Sequence, residues 1–286
     1  MKKLLLILLC LPMIGFGQQQ TYVPDDNFEA YLEANGMGNG IANDDYVTTA
    51  NINSVLGLDL DGESITDLTG IEDFTDLMGL ECRYNQITSL DITQNTALVS
   101  LRCYGNLLTS IDVSNNIALI YLEVGSPQEE DGNQLTSLDI SNNIALLTLG
   151  CTSNQIECLD ISNNTALTEL YCNYNSLEQL NTKNGNWANI EELDASNNNN
   201  LMCVEVDNIN VASDPNGDWY FDSFTTITTN CNYTNPCATV SAIQEQTTNK
   251  ELLKVTDLLG RETKQTNQPL FYIYDDGTVE KRITIE

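Results

Sequence analysis

From Leu80 onward the chain repeats one alternation of apolar and polar positions, Leu-x-Cys-x-x-Asn-x-(Leu/Ile)-Thr-Ser-(Leu/Ile)-Asp-(Ile/Val)-Ser-Asn-Asn-x-Ala-Leu. The units open at Leu58, Leu80, Leu101, Leu122, Leu149, Leu170 and Leu193, usually 21 residues apart. One such unit has too little apolar surface to fold alone. Stacked units share a continuous core through nearest-neighbour contacts, so the period predicts a solenoid. In the unit from Leu101 a short strand points Leu101 and Cys103 inward, and Ser100, Arg102 and Tyr104 outward. Asn106 closes the strand, and its amide can satisfy turn backbone groups of its own and the next coil. Asn85, Asn133, Asn154, Asn175 and Asn198 hold the same position and form a ladder, with Glu63 in the first coil. Leu108, Ile111, Val113 and Leu119 complete the core, while Asp112 and Asn115 face water or turn the chain. Coils this short leave little room for a helix. Low helix content follows, with short turns, 3-10 segments or a second small strand opposite the sheet.

The unit resembles the leucine-rich repeats of bacterial surface and secreted proteins, over roughly residues 50 to 206. The first coil, LDLDGESITDLTGIEDFTDLM, is similar to internalin-type coils, and its departure from the later units suits a capping repeat. The resemblance implies a leucine-rich-repeat solenoid with a curved parallel β-sheet whose concave face recognises proteins or glycans. It further implies repeats over 58–206, an N-terminal cap over 18–57 and a C-terminal cap over 207–239, with Cys203 and Cys231 as the cap disulfide. The N-terminal cap should hold a short amphipathic helix between Val23 and Met37, with Phe28, Tyr31 and Leu32 on one face and Gly36 near its end.

Residues 1–17 read as a secretory signal, with Lys2 and Lys3 ahead of an apolar run from Leu4 to Ile14 that is too short to span a membrane. A lipoprotein anchor at Cys10 is the rival, although Leu9 stands where a small residue is expected. At the other end the charge balance changes. Residues 18–249 carry 34 of the 41 acidic residues against Arg83, Arg102 and Lys183, whereas residues 250–286 have seven acids and six bases. After a linker over 240–248, residues 249–286 resemble the sorting module read by the type IX secretion machinery. Asp257, Leu259-Gly260-Arg261, Phe271 to Tyr274, Gly277 and Glu280-Lys281-Arg282-Ile283 carry that resemblance. It implies a small β-rich module and a secreted or cell-surface location; a generic β-module is the alternative.

The chain has no histidine, which excludes His-based acid–base chemistry, Ser-His-Asp and Cys-His nucleophiles and His-containing zinc sites. No cofactor is implied, and the chain reads as a binding protein and not an enzyme. A formal net charge of −30 opposes nucleic acid, whose phosphates it would repel. Cys82, Cys103, Cys151 and Cys172 occupy an inward position that other coils fill with Leu60, Val124 and Ala195. They therefore read as compact core residues. Cys158 and Cys237 fall outside this ladder, and either can be free. Asp91, Asp112, Asp139 and Asp160 stack like charges at one coil spacing, either as Asx caps on neighbouring N–H groups or as oxygen ligands for calcium.

Two readings of function follow. In the first, an unidentified protein or carbohydrate binds the concave face at Arg83, Arg102, Tyr104, Tyr121, Glu123, Tyr171 and Asn173, where arginine and aromatic side chains gather. Arg83 and Arg102 could equally serve only to neutralise Glu81 and Glu123 across strands. In the second, the protein is an adhesion component of the cell surface whose acidic ladder binds calcium. The extra residues Pro127 to Gly132 form either a rim of the groove or a loop without a role.

Overall fold

The computed structural model of the protein describes residues 18–126, 132–209, 219–233, Cys237 and, as backbone strands, 252–256, 270–274 and 279–282. The leader 1–17, the insertion 127–131, the linker 240–248 and the motif residues Asp257, Leu259, Gly260, Arg261, Gly277 and Ile283 lie outside the described residues.

Each coil contributes a three-residue strand with the repeat leucine at its centre. These strands are β3 (Gly57–Asp59), β4 (Gly79–Glu81), β5 (Ser100–Arg102), β6 (Tyr121–Glu123), β7 (Thr148–Gly150), β9 (Glu169–Tyr171) and β11 (Glu192–Asp194). They form a parallel sheet in strict register, Leu58 beside Leu80, Leu101, Leu122, Leu149, Leu170 and Leu193. β13 (Trp219–Tyr220) completes the eight strands, with Trp219 beside Leu193. The repeat leucines are buried, as are Leu60, Cys82, Cys103, Val124, Cys151, Cys172 and Ala195 two residues on. This is the leucine-rich-repeat solenoid that the period implied.

On the opposite side the early coils turn without regular structure, apart from a 3-10 turn at Ile71–Asp73. From Cys158 onward a second parallel sheet forms from β8 (Cys158–Asp160), β10 (Gln179–Asn181), β12 (Cys203–Glu205) and β14 (Thr226–Thr228). Leu159, Leu180, Val204 and Ile227 share one row of it. The chain after 206 therefore continues both sheets by one further coil.

The asparagine ladder performs its turn chemistry, but it reaches back to the preceding coil instead of forward. Asn106 Nδ2 donates to Cys103 O of its own coil at 3.0 Å and Cys82 O of the previous one at 2.8 Å. Its Oδ1 accepts from Ile87 N at 3.0 Å. Asn85, Asn133, Asn154, Asn175 and Asn198 repeat the pattern. A second ladder stands at the opposite corner, where Asn95, Asn116, Asn143 and Asn164 are fully buried. Asn116 Nδ2, for example, donates to Ile92 O and Asn95 O of the coil before.

The N-terminal cap is shorter in helix than its sequence suggests. α1 spans Asp26–Ala34, because Asp25 accepts from Asn27 N and Phe28 N at 3.0 Å and so caps it. Gly36, at φ +74°, ends it: Met37 N donates to Leu32 O and Gly36 N to Glu33 O, the paired bonds of a Schellman close. Phe28 and Leu32 are buried against the first coils and Tyr31 is partly buried. Beside the helix, β1 (Gln20–Tyr22) pairs antiparallel with β2 (Tyr46–Thr48).

The chain divides into two compact units, Met1–Ala238 and Thr239–Glu286. In the second, β15 (Leu252–Thr256), β16 (Leu270–Tyr274) and β17 (Val279–Arg282) form an antiparallel sheet in that order. Among the described residues no helix is long and apolar enough to cross a membrane.

Asp25 joins cap to solenoid, since its other oxygen accepts from Thr66 N, Thr66 Oγ1 and Asp67 N. Burial pushes its carboxyl up, but the hydrogen bonds from Thr66, Phe28 and Asp67 outweigh that and hold it below the ordinary carboxylate range. A lowered folded-state pKa stabilises the fold above the unfolded value of about 4, and that stability is lost as pH falls through the folded value. Asp25→Ala should cost about 2 kcal/mol at pH 7. Urea unfolding of both proteins at pH 7 and near pH 2 checks it, because the difference should shrink in acid; a constant difference would show that the charge is not the link.

Candidate functional site

The face read as concave is the outward face of the eight-stranded sheet, and pairs of its side chains meet across neighbouring coils. Arg83 forms ion pairs with Asp61 and, at 2.5 Å, with Glu81. Arg102 bridges Glu81 and Glu123, at 3.3 Å to each. The two arginines are thus held in a carboxylate network, the neutralising arrangement that the sequence left open. Glu123 is nearly buried. Its burial raises the carboxyl pKa and Glu81 adds to this, while Arg102 and Arg83 act against it, leaving it above the ordinary value.

Tyr104 does not stand free on this face. It is only 8% exposed, because the Arg83 guanidinium lies 5.6 Å over its ring and donates to its hydroxyl at 3.3 Å, and the Tyr84 ring packs edge-on at 5.5 Å. An outward direction does not mean exposure where the next coil carries long side chains. Tyr121 is 40% exposed. Tyr171 is half-buried and its hydroxyl donates to Glu192 Oε2 at 2.6 Å; burial, then that hydrogen bond and the neighbouring carboxylates, raise its pKa. Asn173 Oδ1 accepts from Thr152 Oγ1 at 2.6 Å.

Two tyrosines that alternation misses are prominent. The residue before five of the six ladder asparagines adopts a left-handed backbone, at Tyr84, Gly105, Ser153, Tyr174 and Asn197, as does Gly62 before Glu63 in the first coil. Left-handed backbone costs an L-residue roughly 1–2 kcal/mol, and a bulky residue there is an outlier. Tyr84 and Tyr174 accept that conformation and are 45% and 39% exposed. The signal was present in the repeat, as aromatic residues at a position where sister coils carry glycine. The insertion starts and ends beside the same turn row: a Cβ on Gly132 would lie 1.8 Å from Ser153 O, so only glycine lets the returning chain pass.

Each aspartate of the acidic ladder caps a turn. Asp91 Oδ1 accepts from Thr93 N and Oγ1, Asp112 from Ser114 N, Asp139 from Ser141 N and Asp160 from Ser162 N. Among the described residues the carboxylate clusters tight enough to surround one ion are instead Asp26 with Glu29 and Asp45, and Asp59 with Asp61 and Glu81. Two members of the second, Asp61 and Glu81, are already paired with the Arg83 guanidinium.

Cys203 and Cys231 form a disulfide with a Cα–Cα separation of 5.8 Å. Cys158 and Cys237, which the sequence left unpaired, form a second at 5.4 Å. Between them the Tyr233 hydroxyl donates to Cys203 O and accepts from Leu180 N. The tail is thereby stapled across β12, β10 and β8. The ladder cysteines Cys82, Cys103, Cys151 and Cys172 are free and buried. Burial pushes the Cys103 and Cys151 thiols up to about 12 and raises those of Cys82 and Cys172 as well.

No family model matches the chain. Internalin J of Listeria monocytogenes serotype 4b is 39% identical over 83 residues, which are 28% of this chain and 9% of that protein. Among solved structures, the functional domain of InlJ from L. monocytogenes, which includes a cysteine ladder, is 28% identical and has a TM-score of 0.44. The match covers 68% of this chain and 55% of that one. An internalin (inlF) from the same species is 24% identical with a TM-score of 0.44, covering 60% and 49%. The chain thus spans less than a tenth of the curated relative and about half of each of these structures.

The thiols give a direct check. Alkylation of the folded protein at neutral pH should leave Cys82, Cys103, Cys151 and Cys172 unlabelled, and unreduced unfolded protein should label those four but not Cys158, Cys203, Cys231 or Cys237. Cys103→Val should cost no more than about 1.5 kcal/mol as a near volume-conserving swap, and Cys103→Ser should cost more. Rapid labelling of folded Cys103 would contradict its place in the core.

Proposed function

We propose that the protein is a secreted or surface-displayed recognition protein that binds a protein or glycan through the outward face of the eight-stranded sheet. The observation that carries this is the set of exposed tyrosines, Tyr84, Tyr121 and Tyr174, two of them held in left-handed backbone. Strain of that kind persists only where the surroundings over-determine it, and it concentrates at ligand-binding sites. Tyrosine supplies a large amphipathic contact with few rotatable bonds. Tyr171, Asn173, Glu123 and the Arg83–Arg102 network lie on the same face as a fixed polar surround, already oriented before any ligand arrives.

Export rests on separate features. The leader-like 1–17, the sorting-type motifs of 249–286 and two disulfides all suit an oxidising, extracellular location. In this proposal the terminal module engages the type IX machinery. A chain deleted for 249–286 should then fold with an unchanged melting midpoint and stay inside the cell; its appearance outside would refute the sorting role.

A protein and glycan array screened with residues 18–239 identifies the ligand. Against it, Tyr84→Ala and Tyr121→Ala should each cost about 2 kcal/mol, roughly 30-fold in affinity, without unfolding the coil. Asp112→Ala, on the other side of the solenoid, should change affinity little. Equal losses in all three variants would move the site off this face.

A further inference from the structure

Beyond that face, one edge of the same sheet carries an exposed apolar ridge that the repeat does not require. The residue just before each strand is Leu56, Met78, Val99, Ile120 and Leu147 in five consecutive coils, followed by Thr168 and Glu191. Their backbones are stacked coil on coil: Met78 O accepts from Val99 N, Val99 O from Ile120 N, Ile120 O from Leu147 N and Leu147 O from Thr168 N. Leu56, Met78 and Leu147 are exposed, and Val99 and Ile120 are half-buried. The ridge is broadest where Ile117 and Ile144, each 61% exposed, lie three residues before Ile120 and Leu147.

Sister coils show that none of this serves the fold. Thr96 and Thr165 occupy the position of Ile117 and Ile144, and Thr168 and Glu191 extend the row of Leu56 to Leu147. Polar residues are accommodated at both positions, so the aliphatic ones are free to answer to something outside the coil. At a spacing of about 4.8 Å the five coils span roughly 19 Å, the length of about 13 helical residues.

The charge around the ridge selects its occupant. Among the described residues Arg83, Arg102 and Lys183 are all paired with carboxylates. Asp76 is exposed two residues before Met78, and Glu169, Glu191 and Glu192 continue the edge beyond Leu147. A second copy would bring another net charge of −30 against this field and be repelled. We infer that the ridge of Leu56, Met78, Ile120 and Leu147, with Ile117 and Ile144, docks a cationic amphipathic segment of a partner protein. Its aliphatic side chains would cover the ridge, and its lysines or arginines would meet the flanking carboxylates.

The test uses the full chain and a 14-residue Leu/Lys amphipathic peptide carrying a photo-crosslinker, beside the same peptide with Glu for Lys. The Lys peptide should bind, crosslink to residues 117–120 and 144–147, and weaken as salt rises. Ile117→Thr with Ile144→Thr, borrowing the residue that other coils use, should keep the melting midpoint and lower affinity at least tenfold. The face variants Tyr84→Ala and Tyr121→Ala should not alter binding of this peptide, which separates failure of the ridge from failure of the face. Absence of binding, crosslinks located elsewhere, equal binding of the Glu peptide, or a concentration-dependent dimer abolished by the Ile pair would each overturn the inference.

Discussion

The structure depends on a side-chain amide repeated from coil to coil. A strand of three residues must turn sharply to begin the next side of the coil, and the turn buries backbone groups that have no partner within it. Each ladder asparagine answers with donors to its own strand and to the coil before, and with an acceptor for that coil's backbone N–H. Buried polar groups left unpaired cost about 1–3 kcal/mol each, so the amide works on both coils at once. Coil spacing, leucine register and the left-handed residue before the asparagine are all tied to the same bonds. A carboxylate of the same length at this position would lack the donors, and a leucine would lack both functions.

That coupling explains which parts of the molecule the sequence disclosed. Leu101 and Cys103 could be placed inward because the period-two alternation and the interchange of Cys with Val124 and Ala195 both report volume. The asparagine role was legible too, since a primary amide offers two N–H donors and a carbonyl acceptor on one short side chain. Tyr104 was misplaced because alternation gives direction but not cover: the cover comes from Arg83 and Tyr84 one coil away. The second ladder was missed for a related reason. Asn115 and Asn116 are adjacent and chemically identical, and only the turn geometry sends Asn116 into the core while Asn115 stays exposed. The extent of α1 was overread because Val23 and Met37 are apolar for packing, whereas Asp25 and Gly36 set its ends.

The arginines illustrate how charge is used on an acidic surface. Exposed ion pairs contribute little to stability, typically 0–1 kcal/mol, so Arg83 and Arg102 are poorly explained as stabilisers alone. They allow Asp61, Glu81 and Glu123 to lie on neighbouring coils without mutual repulsion, which a parallel register would otherwise enforce. The same pairs remove both guanidinium groups from the pool available to a ligand. In the proposed reading, recognition on this face would fall to the aromatic side chains around the network, with the network as their fixed setting.

The two ends of the solenoid meet the edge problem by different means. An open parallel edge exposes unpaired backbone and an apolar core layer, and both must be covered. At the first coil a helix and a two-stranded ribbon bring Phe28, Leu32 and Val47 onto the core, with Asp25 tying them to Thr66. Among the described residues the last coil has no such helix or ribbon. β13 has only two residues, Trp219 replaces the leucine, and the described chain after β14 crosses back over the second sheet. Among the described residues Trp219, Phe221 and Ile227 pack there against the core, and two disulfides hold the crossing covalently. A loop closed by Cys203 and Cys231, with 28 residues of separation, can contribute roughly 3–4 kcal/mol by restricting the unfolded chain. The second sheet begins at Cys158 and carries both disulfides, which places the strands of the far side where the staple needs a regular surface to hold.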